Sequence, residues 1–248
     1  MAKKKDGYWR MLAAVTLVVT TLACGCASQP AVDDAVGHGE SLVSEEGQIA
    51  FTRIVKWEGT DVEADIYTIN VDGTAERKLT DTLGLDGFPT WSRGGQRLAF
   101  VSDRAGGGNW EIYVMDSDGT HQRRLTNTPE KDEAALAWSP NGEKIAYATG
   151  AFSDPYDPSI WMMDTDGSDR RWLALGNWPS WSPDGKRIVY TSGEWTDQRV
   201  SVMNADGSGR RTLDVRGASE PAWSPDGERI AYIIDVGKDK ETWDNEEI

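Results

Sequence analysis

Acidic pairs recur along this chain of 248 residues: Asp116 and Asp118, Asp164 and Asp166, each followed by Gly, with Asp72 and Asp206 in the related NVDG and NADG. Asp-x-Asp-Gly resembles the opening of a calcium-binding loop, but such a loop also needs a third acidic ligand, Gly at its sixth position and Glu at its twelfth. None of these follows here. The alternative is a hairpin turn, in which Asp or Asn bonds the backbone two residues on and Gly takes a positive φ. Other reactive groups are sparse. The two histidines, His38 and His121, fall in a polar N-terminal stretch and in one of these turns. There is no Gly-x-Ser-x-Gly, no Gly-rich phosphate loop after a strand, and no His/Cys cluster with metal-ligand spacing. The sequence therefore assigns no catalytic, metal or cofactor-binding residue, and the expectation is a protein that is not an enzyme and carries no cofactor.

The elements that carry these turns repeat. TWSRGGQRLAF (90–100), AWSPNGEKIAY (137–147), SWSPDGKRIVY (180–190) and AWSPDGERIAY (222–232) alternate with NVDGTAERKLT, DSDGTHQRRLT, DTDGSDRRWLA and NADGSGRRTLD. A fixed period near 40–45 residues marks a repeat architecture. Within each unit the apolar runs are short, bounded by turn signals, and lack helical spacing over twelve or more residues. Four strands per unit at this period describe β-propeller blades, so the fold expected is all-β. Trp91, Trp138, Trp181 and Trp223 suit wedges between neighbouring blades. The basic pairs Arg77-Lys78, Arg123-Arg124, Arg170-Arg171 and Arg210-Arg211 open the outermost strand, where charge discourages edge pairing.

The WSPDG-(K/E)-(K/R)-IAY element followed by NADG and RRLT closely resembles the repeats of the TolB-like β-propeller family. The resemblance covers residues 41–248 and implies four-stranded blades at about 41–80, 85–126, 132–174 and 176–214, with a partial fifth at 219–248. The first blade is degenerate, with Val43 in place of Trp. The fifth is interrupted within the motif that should continue into its third strand, which leaves three readings: a piece of a longer propeller, a small ring closed by a short blade, or two chains that combine. An incomplete propeller is the one favoured. In function the resemblance implies an interaction protein of the cell envelope. It also extends to sugar lyases, whose histidine clusters this chain lacks, and to peptidases whose α/β-hydrolase domain has no counterpart here.

Lys3, Lys4, Lys5 and Arg10 precede an uncharged run from Met11 to Ala23, followed by Cys24-Gly25-Cys26. A basic segment, a short apolar segment and small residues before a cleavage point describe an export signal too short to span a membrane. The cysteines make residues 1–23 resemble a bacterial lipoprotein signal, with lipidation expected on Cys24 or, alternatively, Cys26. Residues 24–40 form a polar tether. The location expected is the cell envelope, exported and held by lipid at the periplasmic face of a membrane or at the cell surface. Both cysteines of the chain lie here, so no disulfide framework holds the propeller.

The net charge is −15, although residues 1–23 carry three Lys and one Arg against Asp6. So acidic a surface repels nucleic acid. Ligand contacts are expected where the blades differ, because repeated residues are already explained by the fold. At the starts of the inner strands these are Asp86 and Phe88, Asp132 and Glu133, Asn177 and Trp178, Ser219 and Glu220. Loops between second and third strands add Trp57, Trp110, Phe152, Tyr156, Trp195 and Trp243. Aromatic rings beside carboxylates can stack a sugar or grip a peptide. The function expected is a lipid-anchored binding or scaffold module for protein or carbohydrate. The alternatives are a polysaccharide-acting, lyase-like enzyme of the envelope, or a fragment without independent function.

Overall fold

The computed structural model describes residues 47–58, 61–106, 109–150, 158–194 and 197–234. The expected leader, tether and lipidation cysteines, together with Val43, Phe152, Tyr156, Trp195 and Trp243, lie outside them. Seventeen strands build five antiparallel sheets among the described residues. The first has three strands, β1 (Gln48–Glu58), β2 (Asp61–Asn70) and β3 (Arg77–Lys78). Three complete four-stranded blades follow. They are β4 (Asp86–Trp91), β5 (Arg97–Ser102), β6 (Glu111–Asp116) and β7 (Arg123–Arg124); then β8 (Glu133–Trp138), β9 (Lys144–Thr149), β10 (Ser159–Asp164) and β11 (Arg171–Leu175); then β12 (Asn177–Trp181), β13 (Arg187–Ser192), β14 (Arg199–Asn204) and β15 (Arg211–Arg216). The fifth sheet pairs β16 (Ala218–Trp223) with β17 (Ile230–Ile234).

Turn chemistry explains where each strand stops. After every Trp-Ser the serine Oγ accepts the N–H of the residue five positions on, as in Arg97 to Ser92 (3.0 Å), Lys144 to Ser139 (2.9 Å) and Arg187 to Ser182 (2.9 Å). In the acidic turns the carboxylate serves its own loop. Asp118 Oδ1 accepts from Thr120 N–H and Oγ1, Asp166 from Ser168 and Asp206 from Ser208, and these bonds hold all three carboxyls below the usual range.

The repeated tryptophans end the inner strands and fill the space between sheets. Trp91 and Trp138 are buried, and Trp138 Nε1 donates to Thr90 O of the preceding blade at 3.2 Å. Trp181 donates in the same way to Ala137 O, also at 3.2 Å. Arg97 stacks over Trp138 and Arg187 over Trp223, at 5.4 and 4.6 Å from the ring centroids. The second blade thus holds the Trp138 ring of the third from both sides, through the Thr90 carbonyl and the Arg97 guanidinium.

The basic pairs have a role beyond edge protection: they clasp successive blades. Arg77 donates to Asp118 O (2.8 Å) in the next blade's turn, and Arg123 to Asp166 O (2.9 Å) and Thr165 O. One position earlier the direction reverses. Gln122 reaches back to Leu79 O, Arg170 to Leu125 O and Arg210 to Leu173 O. The turn glycine makes room for this, since a Cβ on Gly119 or Gly167 would stand 2.8 Å from the carbonyl oxygen of Leu79 or Leu125. Substantial contacts between sheets join only neighbours in chain order, so the series of described sheets is open.

Candidate functional site

The starts of the inner strands share an irregularity. Phe88, Ala135, Trp178 and Glu220 all have φ between 50° and 53°, three positions before the inner-strand Trp. The pairing register shifts at the same place in each blade. Non-glycine residues in this region cost on the order of 1 kcal/mol or more, and such strain clusters at functional sites. The bulge turns one residue per blade out of the strand alternation at the end where the inner strand begins and the second strand finishes.

At three of the four bulges the freed N–H has a local side-chain acceptor. Phe88 N–H donates to Thr52 Oγ1 (3.2 Å) and Glu220 N–H to Thr191 Oγ1 (3.0 Å), both on the second strand of the blade before. The corresponding second-strand residue ahead of Trp178 is Ala148, which offers no hydroxyl. Trp178 N–H instead takes the side-chain oxygen of Asn177 at 2.8 Å.

The residues expected to contact ligand divide into two groups. Phe88, Asp132, Asn177, Trp178, Ser219 and Glu220 are half-buried on the loop face. Asp86 and Glu133 are 0 % exposed and sit in the seams between blades, as does Glu111 at 1 %. Trp110 is also interior, against Phe88 with ring centroids 6.0 Å apart. Its N–H is held by Asp132 Oδ1 at 2.9 Å. Trp57 lies on the long first strand β1 and not in a loop.

Two of the seams repeat one polar arrangement. Between the first and second blades, Asp65 pairs with Lys78 (2.8 Å), Ile66 N–H donates to Thr80 Oγ1, and Thr82 Oγ1 donates to Asp86 Oδ2 (3.0 Å). Asp86 is neutralised by Arg104, with Nη2 at 2.7 Å from Oδ2 and Nε at 3.3 Å from Oδ1, and the guanidinium stacks on Phe100 and Tyr113.

Between the second and third blades, Glu111, Arg124, Thr126, Thr128 and Glu133 stand at the same places. Glu111 Oε1 accepts from Arg124 (2.6 Å), Asn109 (3.0 Å) and Thr128 N–H (2.9 Å). Burial alone would raise this carboxyl, but the nearby Thr126 hydroxyl, the Thr128 N–H and Arg124 outweigh it and hold Glu111 below the usual range. Glu133 accepts from Thr128 Oγ1 and Thr126 Oγ1 and has no arginine corresponding to Arg104 among its partners. Burial and the neighbouring Glu111 push it up to about 8. Among the described residues, no group of three or more His, Cys, Asp or Glu is placed to hold a metal ion.

The family described as TolB beta propeller domain matches residues 51–227, which span the first four sheets and the start of the fifth. The chain belongs to this TolB beta propeller domain family. A protein TolB homolog from Chlorobium luteolum is 42 % identical over 60 residues, a stretch that is 24 % of this chain and 13 % of that relative. The chain thus matches a small part of that relative's length. Among solved structures, a putative TolB from Agrobacterium tumefaciens aligns with TM-score 0.62 at 25 % identity over 77 % of this chain and 73 % of its own. TolB from Acinetobacter baumannii aligns with the same TM-score at 22 % identity, over 77 % of this chain and 47 % of that one. An oligogalacturonate lyase in complex with manganese shares the fold, at TM-score 0.59 and 15 % identity over 77 % of this chain and 60 % of its own.

The acidic turns and the Trp wedges stand out in the sequence as repeats. The seam carboxyls do not, because only their equivalent positions in successive blades mark them.

Proposed function

We propose that this TolB-like propeller is a non-catalytic binding or scaffold module of the cell envelope, anchored by lipid on Cys24 or Cys26, that takes a protein or carbohydrate ligand on its loop face. The observation that carries this reading is the bulge at Phe88, Ala135, Trp178 and Glu220. Four copies of one strained conformation support four unlike side chains on an otherwise repeated scaffold. A repeated backbone with varied side chains supplies rigid positioning together with specificity. Half-buried aromatic residues at two of the four positions offer flat apolar area, and Glu220 with Asp132 offers hydrogen-bond acceptors beside it. Trp195, outside the described residues, falls in a loop expected at the same end.

Titration of the chain against panels of envelope-derived peptides and oligosaccharides tests the reading. A ligand whose affinity falls at least about tenfold in Trp178→Ala or Glu220→Ala, with thermal melts preserved, supports it. Ligands that bind equally well to both variants would place recognition elsewhere. For the anchor, incorporation of a labelled fatty acid should be lost in Cys24→Ser, or in Cys26→Ser if the second thiol is the one acylated. Incorporation that survives the double variant removes the anchor from the proposal.

A further inference from the structure

The seam between the second and third blades buries two carboxyls side by side, and they are not equally satisfied. Glu111 Oε1 collects three donors, while Glu111 Oε2 is buried with no hydrogen-bond partner among the described residues. Glu133, fully buried, takes hydroxyl donors from Thr126 and Thr128. An unsatisfied buried acceptor beside a second carboxyl is satisfied most simply by a proton on that second group. We propose that Glu133 carries a proton and donates it to Glu111 Oε2, so that the two carboxyls form a single-proton latch across this seam, opened when the proton leaves.

The groups around the latch leave few other ways to neutralise it. Glu111 comes from β6, and its cation Arg124 from β7 is already committed to Glu111 Oε1, Thr126 O and Asn127 Oδ1. Tyr147 on β9 faces Glu133 as a neutral phenol, which burial and Glu133 itself push further up. Arg170 sits in the turn before β11, and its guanidinium is bonded to Leu125 O and Gly167 O. Asp132 precedes Glu133 in the chain and bonds Trp110 N–H. The equivalent position in the first seam has Arg104, which neutralises Asp86 with a fixed cation. One seam therefore uses a permanent charge where the other uses an exchangeable one.

The latch also reaches the loop face. Glu133 N–H donates to Trp110 O (3.0 Å), so residues 109–111 and 128–133 are tied by the carboxyl pair, by this bond and by Asp132. Loss of the proton places two negative charges in a buried site and works against this tie. The latch is a property of the seam itself and stands independently of any ligand.

Difference infrared spectroscopy of the full chain between about pH 6 and about pH 9 reads the proton directly. The expected result is a protonated-carboxyl band that disappears with a midpoint near 8 and is missing from Glu133→Gln. A wild-type chain without such a band, or a band that persists in Glu133→Gln, overturns the proposal. Should Glu133→Gln not fold, Glu111→Gln serves in its place. Removing the neighbouring charge must lower the midpoint by about one pH unit or more, and an unchanged midpoint overturns the shared proton.

Discussion

The seams on either side of the second blade use the same positions with different chemistry. Asp65, Lys78, Thr80, Thr82 and Asp86 in the first correspond to Glu111, Arg124, Thr126, Thr128 and Glu133 in the second. The acid on the second blade's inner strand is met by Arg104, whereas the acid on the third blade's inner strand meets another carboxyl. A repeat fold therefore fixes where a charge sits and leaves its compensation to residues outside the repeat. The third seam removes the requirement altogether, since Ser159 and Gly176 stand where the acids were.

Six substitutions break or sharpen this comparison. The largest effect expected is from Trp138→Ala, which removes a buried ring from the second seam and should cost roughly 3–5 kcal/mol in a chemical melt. Trp223→Ala should cost less, because that ring is only half-buried and its Nε1 has no partner among the described residues. Equal losses would mean that the open end is packed as firmly as the middle. Arg104→Met comes next, at roughly 2–4 kcal/mol near neutral pH, because it leaves Asp86 buried without its cation. The first seam would then imitate the second, and the variant should recover stability as the pH falls.

Glu133→Gln addresses the second seam itself. The folded carboxyl titrates near 8 and the unfolded one near 4.5. Its contribution is therefore complete below about 4.5, declines as the pH rises between the two values, and is gone above about 8. Relative to wild type, Glu133→Gln should flatten the fall in melting temperature over this window, with a difference of up to about 5 kcal/mol by the alkaline end. Parallel pH profiles would contradict this. The smallest effect belongs to the clasps. Arg123→Ala, exposed and bonded only to carbonyls of the following turn, should cost about 0.5–1 kcal/mol, and Arg77→Ala about the same.

Much of the fold was legible because its signals are local. Trp-Ser-Pro-Asp-Gly contains a serine that closes its own turn, and Asp-x-Asp-Gly a carboxylate that bonds two residues on, so strand boundaries follow from neighbours in sequence. The arginine pairs could not be understood in this way. Their acceptors lie about forty residues off in the chain, and only the juxtaposition of blades gives Arg123 and Arg170 opposite directions of reach. Asp86 and Glu133 stand among the expected ligand contacts because unlike residues on a repeated background suggest a site. Their burial depends on threonines and a guanidinium that no local pattern connects to them. The positive φ at Phe88, Ala135, Trp178 and Glu220 had no signature at all, since the position holds no glycine or asparagine.

The clasps lead to a mechanical consequence. Each is made between one blade and the next, by residues that lie within a single repeat on either side, and nothing in it refers to a ring. Such an array behaves as a chain of coupled springs, whose strength is set link by link. Drawn out from its ends under load, it would yield one blade at a time in a series of steps of similar length, and the step count would give the number of blades.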